Sequence, residues 1–219
     1  MTIHNTTFSV YKISPLHNFS ETRLEFYANE LSVLIDRDSY NAVFSPIEIS
    51  SIKAIQIDIQ TPSSTYSSYL FPPHTLLIRS PSHVINTILE YLSTHFDCRT
   101  SEFKFTQNIL ISLFDIFLSS ASANPIIKPL ELTYSPLDAN LKKITLSIEP
   151  HDIEEFKKRG SLVECLTGYV KYHTAIDLNQ IQLVRIGCAG FVAGDSKLKI
   201  FKNTQTEDIF RAVLKNIER

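Results

Sequence analysis

Two periodicities of apolar residues alternate along this chain, and together they constrain its fold. Ile55, Ile57 and Ile59 alternate with polar residues, which is the pattern of a strand with one solvent-facing side. The run from Leu24 to Ile35 instead repeats apolar residues every three or four positions, as one face of an amphipathic helix requires. Because strand and helix patterns follow one another irregularly, we expect an α+β fold: a curved, mostly antiparallel sheet with flanking helices.

The same periodicities predict the other elements. Besides the strand at Ile55–Ile59, strands are expected in Tyr66–Arg79 (interrupted at Pro72 and Pro73), Glu102–Thr106, Lys143–Ile148, Ile181–Val192 and Lys197–Lys202. Helices are expected after the capping residue Ser20, from near Ser82, over Asn108–Leu118, His151–Arg159 and Ser161–Thr174, and from the capping residue Thr206 to the end of the chain.

Composition shifts near residue 140. All ten prolines lie at or before Pro150, and all five glycines lie at or after Gly160. Residues 1–140 carry 8 basic and 13 acidic side chains, whereas residues 141–219 carry 13 basic and 10 acidic ones. We therefore expect two closely packed halves, 1–140 and 141–219, in a chain whose 219 residues can bury a sizeable core.

Several protein classes are excluded by composition. With 43% apolar and 20% charged residues, the chain is neither disordered nor membrane-spanning. The longest apolar run, Asn108–Leu118, contains Asp115 and is about half the roughly 20 residues that a bilayer helix needs. The start of the chain lacks a secretory pattern, and three cysteines do not describe a disulfide scaffold. A net charge of −2 argues against a protein that coats nucleic acid unaided.

A search for catalytic and metal-binding patterns gives a negative result. The phosphate-binding glycine loops, the CxxC and HExxH metal motifs and the GxSxG nucleophile turn are missing. The best catalytic grouping is Cys165 as nucleophile, His173 as base and Asp177 as its orienting partner. Cys165 and His173, however, would lie about 12 Å apart along one helix, so we expect no catalytic site there. Because the metal-binding and phosphate-binding motifs are missing, we also expect no metal and no cofactor.

Two features of the last third remain. The segment IQLVRIGCAGFVAG leaves neither face of its strands clearly polar, and such strands are covered on both faces. A partner protein could supply one cover or pair with a free edge, while the alternative is a cover formed by the chain's own final helix. The basic residues gathered in this third could contact phosphates, or they could serve solubility alone.

The order of segments resembles the centromere protein L (CENP-L) family of inner kinetochore subunits. The resemblance rests on the strand TFSVYKIS, the helix around Leu24–Ile35, the passage INTILEYLSTHFDCRTSEFKFTQNILISLFD, the strand LKKITLSI and the block IQLVRIGCAGFVAGDSKLKIF with a last helix. It covers most of the chain through apolar spacing and element order. The segment Thr61–Pro81 and the loop near Ser119–Pro136 do not contribute to it.

The resemblance implies a non-enzymatic nuclear protein of the centromere and kinetochore, with no membrane association. Its partners would be a CENP-N-like subunit bound through the C-terminal strands, other inner kinetochore subunits, and the centromeric nucleosome and DNA within the complex. Some family members also self-associate, so a second copy of the chain is a further candidate partner. The partner interface would comprise Leu183, Val184, Ile186, Phe191, Leu198 and Ile200. The DNA-facing basic residues would be Arg185, Lys197, Lys199 and Lys202.

On this hypothesis, replacing Ile186 and Ile200 by Asp should abolish partner binding and leave the chain folded. Two alternatives from other classes stay open. One is an adaptor that works outside chromatin, and the other is an enzyme whose site is assembled from residues distant in sequence.

Overall fold

The computed structural model describes residues 3–36, 39–120, 128–136, 143–157, 162–202 and 206–218. The chain divides into two compact units. One comprises residues 7–103 with 217–219, and the other comprises residues 1–6 with 104–216. The boundary at Phe103 differs from the one near residue 140 that the shift in composition predicts, because composition does not report which strands pair.

The unit of residues 7–103 contains six of the described strands and two helices. Their bounds are β1 Thr7–Ile13, β2 Asn41–Ile49, β3 Ile52–Gln60, β4 Thr65–Phe71, β5 Thr75–Ile78, β6 Thr100–Glu102, α1 Leu24–Asp36 and α2 Ser82–His95. The strands are ordered β2-β3-β4-β5-β1, and β6 also pairs with β1. Each of these pairings is antiparallel.

Helices α1 and α2 pack on the apolar residues of this sheet. Tyr27 and Leu31 of α1 and Ile88 of α2 are fully buried in one cluster with Ile57 and other strand residues. The hydroxyl of Ser20 accepts a hydrogen bond from the backbone N–H of Thr22, at the start of a short 3₁₀ turn that leads into α1. The helix pattern around Leu24–Ile35 and the strand pattern at Ile55–Ile59 therefore predict α1 and β3 correctly.

The unit of residues 104–216 contains the other five described strands. They are β7 Leu130–Ser135, β8 Ile144–Ile148, β9 Gln182–Gly187, β10 Phe191–Gly194 and β11 Lys197–Ile200, ordered β8-β7-β9-β10-β11 with antiparallel pairing throughout. The helices are α3 Gln107–Ser120, α4 Pro150–Lys157, α5 Leu162–Thr174 and α6 Thr206–Glu218. The expected α+β fold with antiparallel sheet is confirmed.

Two strand predictions need correction, and two observed strands were not predicted. The expected strand Ile181–Val192 is two strands, β9 and β10, because the chain turns at residues 188–190, where Cys188 N–H donates to the carbonyl of Phe191. The short strand expected at Glu102–Thr106 lies earlier, at Thr100–Glu102. Strands β2 and β7 have no counterpart among the predicted elements. We call β9, β10 and β11 together the C-terminal ribbon.

Candidate nucleic-acid and partner interface

One face of the C-terminal ribbon is covered by helices of its own unit. Phe117 of α3 and Ile209 of α6 both reach Gly190, in the turn between β9 and β10. A β-carbon added at Gly190 would lie 2.6 Å from Cδ2 of Phe117 and 3.0 Å from Cδ1 of Ile209. Glycine is therefore required where the two helices close over the ribbon.

Five of the six apolar residues predicted as a partner interface point into this covered face. Leu183, Ile186, Phe191, Leu198 and Ile200 are each at most 3% exposed. The sixth residue, Val184, is half-buried at an irregularity in the pairing of β9 with β7. A partner could touch the five buried side chains only if the helices moved away from the ribbon.

The edges of the ribbon are also engaged. Strand β9 lies between β7 and β10, and β10 lies between β9 and β11. At the end of β11 the carbonyl of Ile200 accepts a hydrogen bond from the N–H of Asn5, with 2.7 Å between N and O. Among the described residues, β8 pairs with β7 alone, so the free edge of this unit's sheet belongs to β8 rather than to the ribbon.

The opposite face of the ribbon is not covered by a helix among the described residues, and it carries three of the four predicted DNA-facing residues, with Arg185 and Lys197 exposed and Lys199 half-buried. Arg185 is the register partner of Gly194, which in turn pairs with Lys197. In the next row, Gly187 pairs with Val192 and Val192 with Lys199. Side chains alternate between the two faces of a strand, so Arg185, Lys197 and Lys199 lie opposite the buried Ile186 and Leu198. We call this surface the open face.

An aromatic ring accompanies these cations. The ammonium groups of Lys199 and Lys128 lie 5.2 and 4.5 Å from the ring centroid of Phe201, which is half-buried. Cations at this distance are attracted to the ring electrons, so the contact holds both ammonium groups near the end of β11. Neither Lys128 nor Phe201 was among the sequence candidates, because only the fold brings Lys128 to this end of β11.

Acidic groups reduce the positive charge of the open face only in part. Glu131 lies in the row of Gly187, Val192 and Lys199, and it is exposed. The carboxylate of Asp195, in the turn before β11, pairs with the ammonium group of Lys143 at 3.4 Å. The two rows of the open face thus contain three cationic side chains and one carboxylate.

The fourth basic candidate, Lys202, lies beyond the end of β11 and outside the two rows. It is exposed and close to His4, whose pKa is lowered by burial and, secondarily, by the charge of Lys202. The fold therefore groups Arg185, Lys197 and Lys199 and leaves Lys202 to one side.

The candidate catalytic residues are not brought together. Cys165 and His173 both lie on α5, and Asp177 follows that helix. The carboxylate of Asp177 binds the ammonium group of Lys171 at 2.6 Å, which lowers its pKa, and it also accepts from the N–H of Asn179. The ring of His173 packs against that of Tyr169 at a tilt of 46°, with 4.3 Å between ring centroids. Among the described contacts, the carboxylate of Asp177 therefore binds Lys171 and the backbone of the turn at Asn179, and it does not orient the imidazole of His173.

Other functional classes receive no support from the described part of the chain. There, no cluster of three or more His, Cys, Asp or Glu side chains has the arrangement of a metal site. None of the helices described is both long enough and apolar enough to span a bilayer.

Comparison with known proteins gives a family. The family model of Centromere protein L matches residues 53–218. The chain is also 26% identical over 134 residues to the inner kinetochore subunit fta1 of Schizosaccharomyces pombe, an alignment that covers 59% of this chain and 47% of that relative. The chain thus spans about half the length of the curated relative that it matches. Because the family match covers most of the sequence, the chain belongs to the centromere protein L family.

Proposed function

We propose that this protein is a non-enzymatic structural subunit of the inner kinetochore, which pairs with a CENP-N-like subunit and helps to hold centromeric DNA. Membership in the centromere protein L family makes it a nuclear protein of the centromere and kinetochore. Pairing, DNA contact and the absence of catalysis are our proposal, and the geometry of the unit of residues 104–216 supports it.

The observation that carries the proposal is the open face. Arg185, Lys197 and Lys199 project from neighbouring strands on a surface that the described helices leave uncovered. Gly194, between Arg185 and Lys197, has no side chain, so the surface is low between the two cations. Such a surface can approach the phosphate backbone of DNA, and its cations then release counterions that are bound to the DNA. The net charge of −2 makes the contribution of this chain a local one, within a larger complex.

We place the partner at β8 rather than at the buried residues of the ribbon. Strand β8 has one neighbour among the described residues, and Ile144 and Leu146 on it are only half-buried. A strand from a second protein could extend the sheet there by main-chain hydrogen bonds, and its apolar side chains would cover Ile144 and Leu146. The C-terminal ribbon then contributes to partner binding indirectly, because its strand β9 pairs with β7, and β7 pairs with β8.

Hydrogen exchange on the full chain tests this arrangement, with and without a co-purified CENP-N-like subunit. The amides of β8 that face away from β7, those of alternate residues within 144–148, should gain protection in the complex, because an added strand supplies them with hydrogen-bond acceptors. Strand β2, at the end of the other unit's strand order, is the internal control and should not change. The β8 placement is wrong if the complex forms and residues 144–148 exchange as they do in the free chain.

The same measurement separates the CENP-N-like partner from a second copy of this chain. Free chain at rising concentration should leave the exchange of residues 144–148 unchanged if β8 receives a different subunit. Protection that depends on the concentration of the free chain would instead assign this edge to a homodimer.

A further inference from the structure

Helices α1 and α2 form a second surface, in the other unit, that the proposed function does not use. A groove of about 520 Å³ runs between them and is lined from α1 by Glu30, Val33 and Leu34 and from α2 by Tyr91 and His95, among others. Val33 and Leu34 are each 58% exposed, and Phe26, earlier on α1, is 44% exposed. Single exposed apolar residues are common on protein surfaces, but three on one helix beside a groove form a patch.

This patch is separate from the face by which α1 joins the core. Tyr27, Ala28 and Leu31 are buried against the sheet and α2. Phe26, Val33 and Leu34 lie on the remaining circumference of the same helix, with Glu30 between them at helical spacing. Helix α1 is therefore apolar on two sides, and only one side is covered by this chain's described residues.

Three polar side chains of the groove contact one another. The hydroxyl of Tyr91 donates a hydrogen bond to the carboxylate of Glu30 at 3.0 Å, and Nδ1 of His95 lies 3.2 Å from the same oxygen. The rings of Tyr91 and His95 are stacked, with 5.1 Å between their centroids. The carboxylate of Glu30 is thus held at a defined position within the groove, beside Val33 and Leu34.

The charged side chains of α1 and α2 are acidic, and one cation lies nearby, since the guanidinium of Arg23, just before α1, lies 4.8 Å from the ring centroid of Phe26. Helices α1 and α2 contain the carboxylates Glu25, Glu30, Asp36 and Glu90, and neither helix contains a lysine or an arginine. An apolar strip with carboxylates in and around it is complementary to a helix that has an apolar stripe flanked by cations. A groove between two packed helices also has the shape that accepts a third helix.

We propose that the α1–α2 groove docks a basic amphipathic helix of a partner protein. The apolar stripe of that helix covers Val33 and Leu34, and a lysine or arginine beside the stripe pairs with Glu30. This inference concerns a different unit from the β8 edge and the open face, so it stands or falls independently of them.

The test uses the full chain and a synthetic probe of stated composition. The probe is an 18-residue helical peptide with leucines at helical spacing on one side and lysines on the flanks, and its partner peptide has every lysine replaced by glutamate. Binding is measured by fluorescence anisotropy at low and moderate salt. We expect the lysine peptide to bind, more weakly as salt rises, and the glutamate peptide not to bind.

Two variants of the chain locate the binding. Truncation of the apolar patch in V33A/L34A should weaken binding of the lysine peptide by roughly 10- to 100-fold, since two aliphatic contacts are lost. Glu30→Gln keeps an acceptor for Tyr91 but removes the charge, and it should weaken binding and reduce its salt dependence. Glu25→Gln, a charge removal on the same helix away from the groove lining, is the matched control and should change little.

Each other outcome overturns the proposal. Equal binding of the two peptides, or unchanged binding by both V33A/L34A and Glu30→Gln, would show that the groove does not select a basic helix. A free chain that sediments as a dimer, and as a monomer when V33A/L34A is introduced, would assign the groove to a second copy instead. Because Val33 and Leu34 are exposed, V33A/L34A should melt like the parent chain, and a melt of Glu30→Gln shows whether loss of the charge beside Tyr91 and His95 alters stability.

Discussion

Arg185 and Lys197 lie on either side of Gly194 in one cross-strand row, so a residue without a side chain separates two cations on the open face. The backbone of Gly194 has φ of +146°, and a β-carbon there would lie 2.4 Å from the carbonyl oxygen of Val184. Glycine is therefore required at the point where β10 approaches β9. The spacing of the two cations follows from this close approach of backbones.

The first prediction concerns salt-dependent DNA binding by the complex that contains this chain. Replacing Arg185, Lys197 and Lys199 together by Ala should weaken binding to duplex DNA and reduce the slope of log K against log salt by about 2 to 3, since each lost phosphate contact removes about one counterion. Titrations at several salt concentrations measure both quantities. A triple Ala variant at Lys104, Lys171 and Lys215, which are exposed elsewhere in the same unit, is the charge-matched control and should keep the parental slope.

The second prediction concerns the edge of β8. Proline at both Thr145 and Ser147 removes two backbone N–H groups from this strand, so partner binding should fall by tenfold or more, about 1.4 kcal/mol. Glu48→Pro in β2, the end strand of the other unit's sheet, is the matched control and should retain the partner. Circular dichroism checks that both variants stay folded, and full partner binding by a folded T145P/S147P chain would exclude the β8 contact.

The third prediction replaces an expectation drawn from the sequence. Ile186 is fully buried, so Ile186→Asp should destabilise the chain by roughly 4 kcal/mol or more rather than leave it folded without a partner. Val192→Asp, on the open face of the neighbouring strand and half-buried, should cost about 1 kcal/mol. Urea unfolding compares the two, and equal stability losses would contradict the assignment of faces.

The fourth prediction uses two glycines in different surroundings. Gly190→Ala forces a methyl group against Phe117 and Ile209 and should destabilise the chain by about 1–3 kcal/mol. Gly168 lies within α5 with no atom within 4 Å of an added β-carbon, so Gly168→Ala should stabilise it by about 0.5–1 kcal/mol. Thermal melts of the two variants should therefore shift in opposite directions.

The fifth prediction is a loss of stability at high pH. Burial raises the pKa of the Cys188 thiol to about 11, from 9.0 in an exposed thiol. The folded chain therefore holds this proton more tightly than the unfolded chain, and the free energy of unfolding should fall as pH rises from 9 towards 11, by an amount of the order of 2 kcal/mol. Denaturant titrations at pH 7, 9 and 10.5 measure the fall. Cys188→Ala should show a smaller decline, and an equal decline in both chains would refute the assignment.

Local pattern was sufficient for most helices and for the strands with a simple alternation. The apolar spacing of Leu24–Ile35 and the alternation at Ile55–Ile59 identify α1 and β3 because the packing of each depends on one periodic face. The sequence pattern did not predict β2, because Pro46 interrupts this strand. In addition, its turn to β3 uses Ser50 and Ser51, both at positive φ, in place of the Asn-Gly pair that usually marks such a turn. Strand β7, Leu130–Ser135, lies within the segment near Ser119–Pro136 that the sequence pattern predicts to be a loop.

The sequence by itself determined the α+β class, the apolar character of the C-terminal strands and the membership of those strands in a centromere protein L pattern. These are properties of composition and of residues near one another in the chain. Tertiary structure decided which surfaces remain for partners. Among the described residues, pairing of β9 with β7 leaves β8 as a strand with one neighbour, and packing of α3 and α6 at Gly190 buries the ribbon's apolar side, opposite the exposed Arg185 and Lys197. Such outcomes depend on contacts between residues far apart in sequence, which local periodicity does not encode.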